Sequence, residues 1–114
     1  MTSLLLIGCG NMGFAFFAGW HKNGLHININ IDVIDIDQNK TLNLGGSGYN
    51  NLESFPDNKT PDIIIFAIKP QQLADILPEY QKRFGTKPLY ISIAAGKTIE
   101  FFAKHLGSDA KIIR

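Results

Sequence analysis

Residues 7–13 read Ile-Gly-Cys-Gly-Asn-Met-Gly and directly follow the apolar run Leu4-Leu5-Leu6. The glycines have the spacing G-x-G-x-x-G, which between a strand and a helix is the fingerprint of a dinucleotide site. Gly8 lets the chain leave the strand in a tight turn, Gly10 lets a pyrophosphate approach the backbone, and Gly13 lets the helix pack closely on the sheet. The N–H groups at the start of that helix face the phosphates. The motif predicts a bound dinucleotide; a tight turn without a ligand is the alternative.

Strand and helix patterns alternate along the chain, which indicates parallel βαβ units. Strands are predicted at residues 3–7, 28–35, 49–52, 63–68, 89–93 and 110–113. Helices are predicted at residues 11–23, 38–44, 70–84 and 98–106. Pro78 should kink or split the third helix because proline removes a backbone donor. Right-handed connections then give an α/β fold of three layers, a Rossmann-type doubly wound and mainly parallel sheet with the order 3-2-1-4-5-6, over one dinucleotide-binding domain at residues 1–114.

The strand order reverses between the first and fourth strands, so a ligand crevice is expected at their carboxyl ends. The glycine turn and the segment Ala67-Ile68-Lys69-Pro70 meet there. Lys69 is expected to contact the cofactor or to attract an acidic substrate, and an ordinary exposed lysine is the alternative. The small residues of the turn at 92–96 leave room for a flat ring, although close packing explains them equally well.

An acidic residue near the end of the second strand is expected to determine whether the chain prefers NADH or NADPH. Asp35 lies 22 residues after Gly13, where a carboxylate accepts hydrogen bonds from ribose hydroxyls. Asp37 is the second choice, and Asp32 is expected to point to solvent. A carboxylate at ~4 Å would repel the 2′-phosphate of NADP(H) by ~1 kcal/mol in water and up to ~4 kcal/mol at a protein surface. NADH is therefore favoured over NADPH.

Composition excludes several classes of partner and site. A net charge of +1 without a basic cluster argues against nucleic acid. A single cysteine rules out an internal disulfide and suggests the reducing cytoplasm. No apolar run approaches the ~18 residues that a membrane span needs. The three histidines lack metal-ligand spacing, so no metal is expected.

Three segments, in order, resemble the pyrroline-5-carboxylate reductase family. They are residues 7–13, residues 65–71 (Ile-Phe-Ala-Ile-Lys-Pro-Gln) and residues 92–99 (Ser-Ile-Ala-Ala-Gly-Lys-Thr-Ile). The resemblance implies hydride transfer from NADH or NADPH to the C=N bond of pyrroline-5-carboxylate, which gives proline. It also implies a cofactor seat at the glycine loop, at Ala67 and Lys69, and at the Ala-Ala-Gly turn. Many family members have a small polar residue in the place of Asp35, consistent with NADPH use, so both cofactors stay open.

Family members continue beyond Arg114 into a helical domain that builds a dimer and most of the site for the imino-acid substrate. The resemblance therefore implies a homo-oligomer formed through that domain. We expect these 114 residues to be a fragment that binds dinucleotide, carries no catalytic residue and turns over nothing alone. The predicted cofactor-binding residues are Gly8, Cys9, Gly10, Asn11, Met12, Gly13, Asp35, Ala67, Ile68, Lys69, Pro70, Ala95 and Gly96.

Three other interpretations remain open from the sequence. The chain could be the cofactor domain of another NAD(P)-dependent dehydrogenase, because the glycine loop is shared with other hydride-transfer families. It could be a non-catalytic module that binds dinucleotide, or a βαβ scaffold that binds none. Binding of NADH separates the scaffold from the others.

Overall fold

The computed structural model describes residues 2–8, 19, 22, 29–35, 48–93 and 99–113. Within these residues, one parallel sheet has the order β3-β2-β1-β4-β5-β6. The strands are β1 (Thr2–Ile7), β2 (Ile29–Ile34), β3 (Gly48–Tyr49), β4 (Ile63–Phe66), β5 (Leu89–Ser92) and β6 (Lys111–Ile113). The helices whose bounds are described are α1 (Pro70–Phe84) and α2 (Ile99–Leu106). The predicted doubly wound α/β fold and its strand order are confirmed.

Two predicted helices fall largely outside the described residues. Of the helix predicted at residues 11–23, the structure describes Gly19 and Lys22, and both are helical. The helix predicted at residues 38–44 and Thr98, the first residue of the helix predicted at residues 98–106, lie outside the described residues.

The central strands are apolar on both faces, as parallel strands between two layers of helix are. Leu5 and Ile7 of β1 belong to the core that α1 and α2 cover, whereas Leu4 and Leu6 belong to a second core on the opposite face. Burying each such side chain fully stabilises the fold by about 1.5–3 kcal/mol. In the register, Ile7 pairs with Ile34 on one side and with Phe66 on the other. The carboxyl ends of β1, β2 and β4 therefore lie at one level of the sheet.

Helix α1 passes through Pro78 without a break, so the predicted alternative of two helices is wrong. The apolar side chains Leu73, Leu77 and Phe84 face the core and are buried. Pro78 lies on the opposite, exposed side, as does Ala74, whose carbonyl would accept the missing bond. Because that carbonyl lies on the solvent side of the helix, it is open to pairing with water, and the helix can continue without the proline's missing donor.

Strand β3 is shorter than predicted, since it ends at Tyr49 and residues 50–58 form bends and turns. Strand β4 ends at Phe66, two residues earlier than predicted, because the chain turns there toward the first residue of α1. The predicted helix at residues 70–84 has the observed bounds.

Asp32 is buried, with 7% of its surface exposed, and its expected position facing solvent is wrong. Phe55, Lys59, Thr60 and Pro61 border the same small pocket as Asp32. Lys59 Nζ lies 3.6 Å from Asp32 Oδ2. Burial raises the pKa of the Asp32 carboxyl, and the nearby Lys59 ammonium lowers it in part. Residues of the loop between β3 and β4, which is distant in the sequence, thus lie against Asp32 and help to bury it.

Candidate functional site

Gly8 occupies the point where β1 leaves the sheet. Its φ of +87° is a conformation that side chains disfavour. A Cβ at this position would lie 2.9 Å from the carbonyl oxygen of Ala67 and would overlap the side chain of Ile68. Two independent reasons, the backbone conformation and the close approach of the segment after β4, therefore require glycine here. Gly8 has a backbone conformation that a tight turn can use, and its packing on residues 67–68 is an additional finding.

Backbone hydrogen bonds hold the ends of the central strands together beyond the strands themselves. Gly8 N donates to Ile34 O at 2.8 Å, and Ala67 N donates to Ile7 O at 2.8 Å. Because β1 lies between β2 and β4, these bonds place Gly8 and Ala67 at the predicted reversal of strand order. A crevice at this place is where doubly wound sheets bind ligands.

A cavity of about 460 Å³ opens at this reversal. Its volume lies within the range of ~300–1,000 Å³ that is usual for small-molecule sites. The described residues that line it come from four strand ends and one face of α1: Ile7, Gly8, Ile34, Asp35, Asn50, Asn51, Leu52, Ala67, Ile68, Lys69, Gln72, Asp75, Ile76, Glu79 and Tyr80.

The cavity brings together five residues of the predicted set, namely Gly8, Asp35, Ala67, Ile68 and Lys69. Pro70 follows directly as the first residue of α1. The remaining predicted residues lie outside the described part of the chain: Cys9, Gly10, Asn11, Met12, Gly13, Ala95 and Gly96. Asp37, the second choice for the ribose, also lies outside it.

Asp35 is half-buried directly after β2, and hydrogen bonds to its backbone N–H and carbonyl hold it in place. Its N–H donates to Tyr49 O at 2.9 Å, and its carbonyl accepts a hydrogen bond from Asn50 Nδ2 at 3.1 Å. The short strand β3 and the residue after it therefore fix the Asp35 backbone at the mouth of the cavity. This is the position that the sequence predicted for the ribose-binding acid.

Among the described residues that line the cavity, acids outnumber cations. The acids of this described set are Asp35, Asp75 and Glu79, and its cation is Lys69. The two acids of α1 were missed in the sequence, as were Gln72 and Ile76. Their spacing could have indicated a shared position, because these residues recur every three or four positions and so lie on one face of α1. Nothing local distinguishes such a face from an ordinary solvated one.

The segment that supplies Asn50, Asn51 and Leu52 is held against α1 by Arg83. Its guanidinium donates hydrogen bonds to Leu52 O at 2.5 Å, Phe55 O at 2.6 Å and Pro56 O at 2.9 Å. It also lies over the Phe55 ring, with 5.5 Å between Cζ and the ring centroid. This single side chain fixes one wall of the cavity.

The described residues contain no group of three or more histidine, cysteine or acidic side chains that could hold a metal ion. Across the ranges given above, no helix combines the length and the apolar character that a bilayer crossing requires.

Residues 3–96 match the family described as NADP oxidoreductase coenzyme F420-dependent. The chain belongs to this family. The matched span includes Gly8, Asp35 and the segment between β4 and α1. It therefore covers all the described residues that line the cavity.

Individual relatives indicate a narrower likeness. The pyrroline-5-carboxylate reductase of Escherichia coli strain K12 is 37% identical over 110 residues, which cover 95% of this chain and 41% of that protein. A solved pyrroline-5-carboxylate reductase from Coxiella burnetii is 27% identical with a TM-score of 0.84, covering 97% of this chain and 42% of the other. These relatives confirm the resemblance that the three motifs indicated.

The fold is also that of a pyrroline carboxylate reductase from Plasmodium falciparum solved with NADP bound. The TM-score is 0.78 at 24% identity, covering 97% of this chain and 40% of that one. The chain spans about two fifths of the length of the curated relatives it matches.

Proposed function

We propose that these 114 residues form the dinucleotide-binding domain of a reductase similar to pyrroline-5-carboxylate reductase. The observation that carries the proposal is the arrangement at the reversal of strand order. There Gly8, in a left-handed conformation, packs on Ala67 beside a cavity that Asp35 lines. A glycine of this kind at the end of β1 is what the dinucleotide fingerprint requires.

The residues present fit a nicotinamide dinucleotide. Residues 9–13 would offer backbone N–H groups to the pyrophosphate, as the sequence predicts. Asp35 would accept hydrogen bonds from ribose hydroxyls. Lys69 would neutralise phosphate charge or attract an acidic substrate. Bound there, the cofactor supplies the hydride, and the protein holds it in place.

Of the two cofactors we propose NADH over NADPH, because the described residues that line the cavity include three carboxylates and one lysine. A 2′-phosphate near Asp35 would meet repulsion of ~1–4 kcal/mol at ~4 Å, depending on the dielectric. The additional acids Asp75 and Glu79 act in the same direction. The Plasmodium relative holds NADP and the family description names it, so the preference must be measured for this chain.

For the whole protein we propose reduction of the C=N bond of pyrroline-5-carboxylate, or of a closely similar small imino acid, in the cytoplasm and in a homo-oligomer. The support for this reaction is the name shared by the curated relatives. Hydride transfer requires donor and acceptor carbons about 3–3.5 Å apart, and such positioning supplies ~7–11 kcal/mol of the barrier. This chain spans only two fifths of those relatives. We therefore expect the 114 residues alone to bind cofactor without measurable turnover.

Calorimetric titration with NADH and with NADPH tests the proposal. We expect the wild type to bind NADH at least about tenfold more tightly, a ratio that corresponds to ~1.4 kcal/mol. Asp35→Ser should reduce that ratio because it removes both the ribose acceptor and the repulsion. Asp109→Ser is the matched control, since Asp109 is exposed in the turn between α2 and β6. Tighter binding of NADPH by the wild type would overturn the preference, and no heat with either cofactor would overturn the binding site itself.

A further inference from the structure

Tyr80 of α1 lines the cavity although only 3% of its surface is exposed. Its ring packs edge-on against Phe66, with 5.6 Å between the centroids, and lies beside Phe84 at 6.1 Å. The ring is thus fixed in the core, and only its polar end can serve the cavity. Burial raises the pKa of its hydroxyl far above the usual value, so the group stays protonated and neutral.

The Tyr80 hydroxyl has no hydrogen-bond partner among the described residues. Each fully buried side-chain nitrogen or oxygen in the described part of the chain does have one. The Tyr80 oxygen therefore is not fully buried and reaches the space that Tyr80 lines, which is the cavity. A hydroxyl left in this position costs free energy unless water or a ligand pairs with it.

Tyr90 of β5 shows the contrast within the same core. It is as buried as Tyr80, at 1% exposed, and its ring stacks on Phe66 with 6.1 Å between the centroids. Its hydroxyl donates to Gly85 O at 2.6 Å, and Tyr90 does not line the cavity. One of the two buried tyrosines is therefore satisfied by the protein, whereas the other presents its hydroxyl to a ligand site.

We propose that the Tyr80 hydroxyl binds the edge of the adenine base and is a specificity-determining group for the adenosine half of the cofactor. This inference rests on the proposed function. The cavity lies on the β2 side of the crevice, because Asp35 and the residues after β3 line it, and the acid of that strand binds the adenosine ribose.

The remaining walls suit a flat heteroaromatic base. Leu52, Ile68 and Ile76 supply apolar surface for its faces. Adenine offers ring nitrogens that accept hydrogen bonds and an amino group that donates them, and a phenolic hydroxyl can pair with either. Sites that bind a ligand through apolar walls and one or two fixed polar groups owe their specificity to those groups.

Titrations of Tyr80→Phe and Tyr90→Phe with NADH and with AMP test the inference. Phenylalanine keeps the ring contacts with Phe66, so both variants should fold, which the melting temperature verifies. We expect Tyr80→Phe to bind both probes about 3- to 10-fold more weakly, the value of one hydrogen bond, with its unliganded melting temperature unchanged or raised. We expect Tyr90→Phe to melt at a lower temperature while binding both probes as the wild type does.

Two results would overturn the inference while leaving the proposed function intact. One is wild-type affinity of Tyr80→Phe for both probes, and the other is equal weakening by both variants. Failure of the wild type to bind NADH and AMP is a different result, because it removes the proposed function itself.

Discussion

Replacement of Arg83 by methionine should unfold the cavity wall and destabilise the whole domain. Methionine keeps an apolar stem over Phe55 but removes three hydrogen bonds to the carbonyls of Leu52, Phe55 and Pro56. A hydrogen bond that involves a charged group contributes about 1.5–3 kcal/mol. Three such bonds set the upper limit on the loss.

Water reduces that limit, because the Arg83 side chain is 19% exposed and water can reach some of the abandoned carbonyls. The ion pair with Asp57 adds little, since that carboxylate is fully exposed. We therefore expect a loss of about 3–5 kcal/mol for Arg83→Met, a large part of the ~5–15 kcal/mol that holds a typical domain. Arg83→Lys should lose less, because an ammonium can still donate to one or two of the carbonyls.

Urea unfolding followed by circular dichroism measures the effect. Lys82→Met is the matched control, because Lys82 is the exposed neighbour in the same helical turn and should change stability by less than about 0.5 kcal/mol. NADH affinity, measured under conditions where the variant remains folded, should fall for Arg83→Met and not for Lys82→Met. Equal unfolding midpoints for the two variants would refute the reasoning.

Two further predictions concern stability. Pro78→Ala should raise the melting temperature, with a gain of about 1–2 kcal/mol, because it restores a donor for the Ala74 carbonyl in an unbroken helix; an unchanged or lower melting temperature would contradict this. Burial raises the folded-state pKa of Asp32 above its ordinary 3.8, so its contribution to stability is complete below that value and is lost as pH rises through the folded pKa. Asp32→Asn should therefore gain stability relative to the wild type as pH increases from about 4 toward neutrality. Lys59→Met should lose stability over the same pH range more steeply than the wild type does. Parallel pH profiles of Asp32→Asn and wild type in urea unfolding would contradict the assignment.

The sequence predicted the features that depend on local signals. The alternation of strand and helix patterns placed β1, β2 and β4, and the right-handed rule for connections gave their order. Gly8, Asp35 and residues 67–69 could be placed at the site because they directly follow strands. Parallel strands carry their final residues to one edge of the sheet, so strand ends predict neighbours.

The features that the sequence did not predict depend on partners far along the chain. The loop after β3 is fixed by Arg83, about thirty residues later, and the burial of Asp32 depends on Lys59. Pro78 is tolerated because of the side of α1 on which it lies, which a local rule for proline does not consider. The residues of α1 that line the cavity could be recognised only after the cavity itself had been located in the fold.

Arg83 binds main-chain oxygens of residues 52–56, and this determines which of these residues can be replaced. Every amino acid offers the same carbonyl, so residues 52 and 56 can change identity without releasing the guanidinium, whereas Phe55 is also required for its buried ring. Related proteins should accordingly tolerate different side chains at 52 and 56 as long as they keep an arginine at 83. The side chain at 52 lines the cavity, so a designer can retune nucleotide selectivity there while the guanidinium keeps its hold on the main chain.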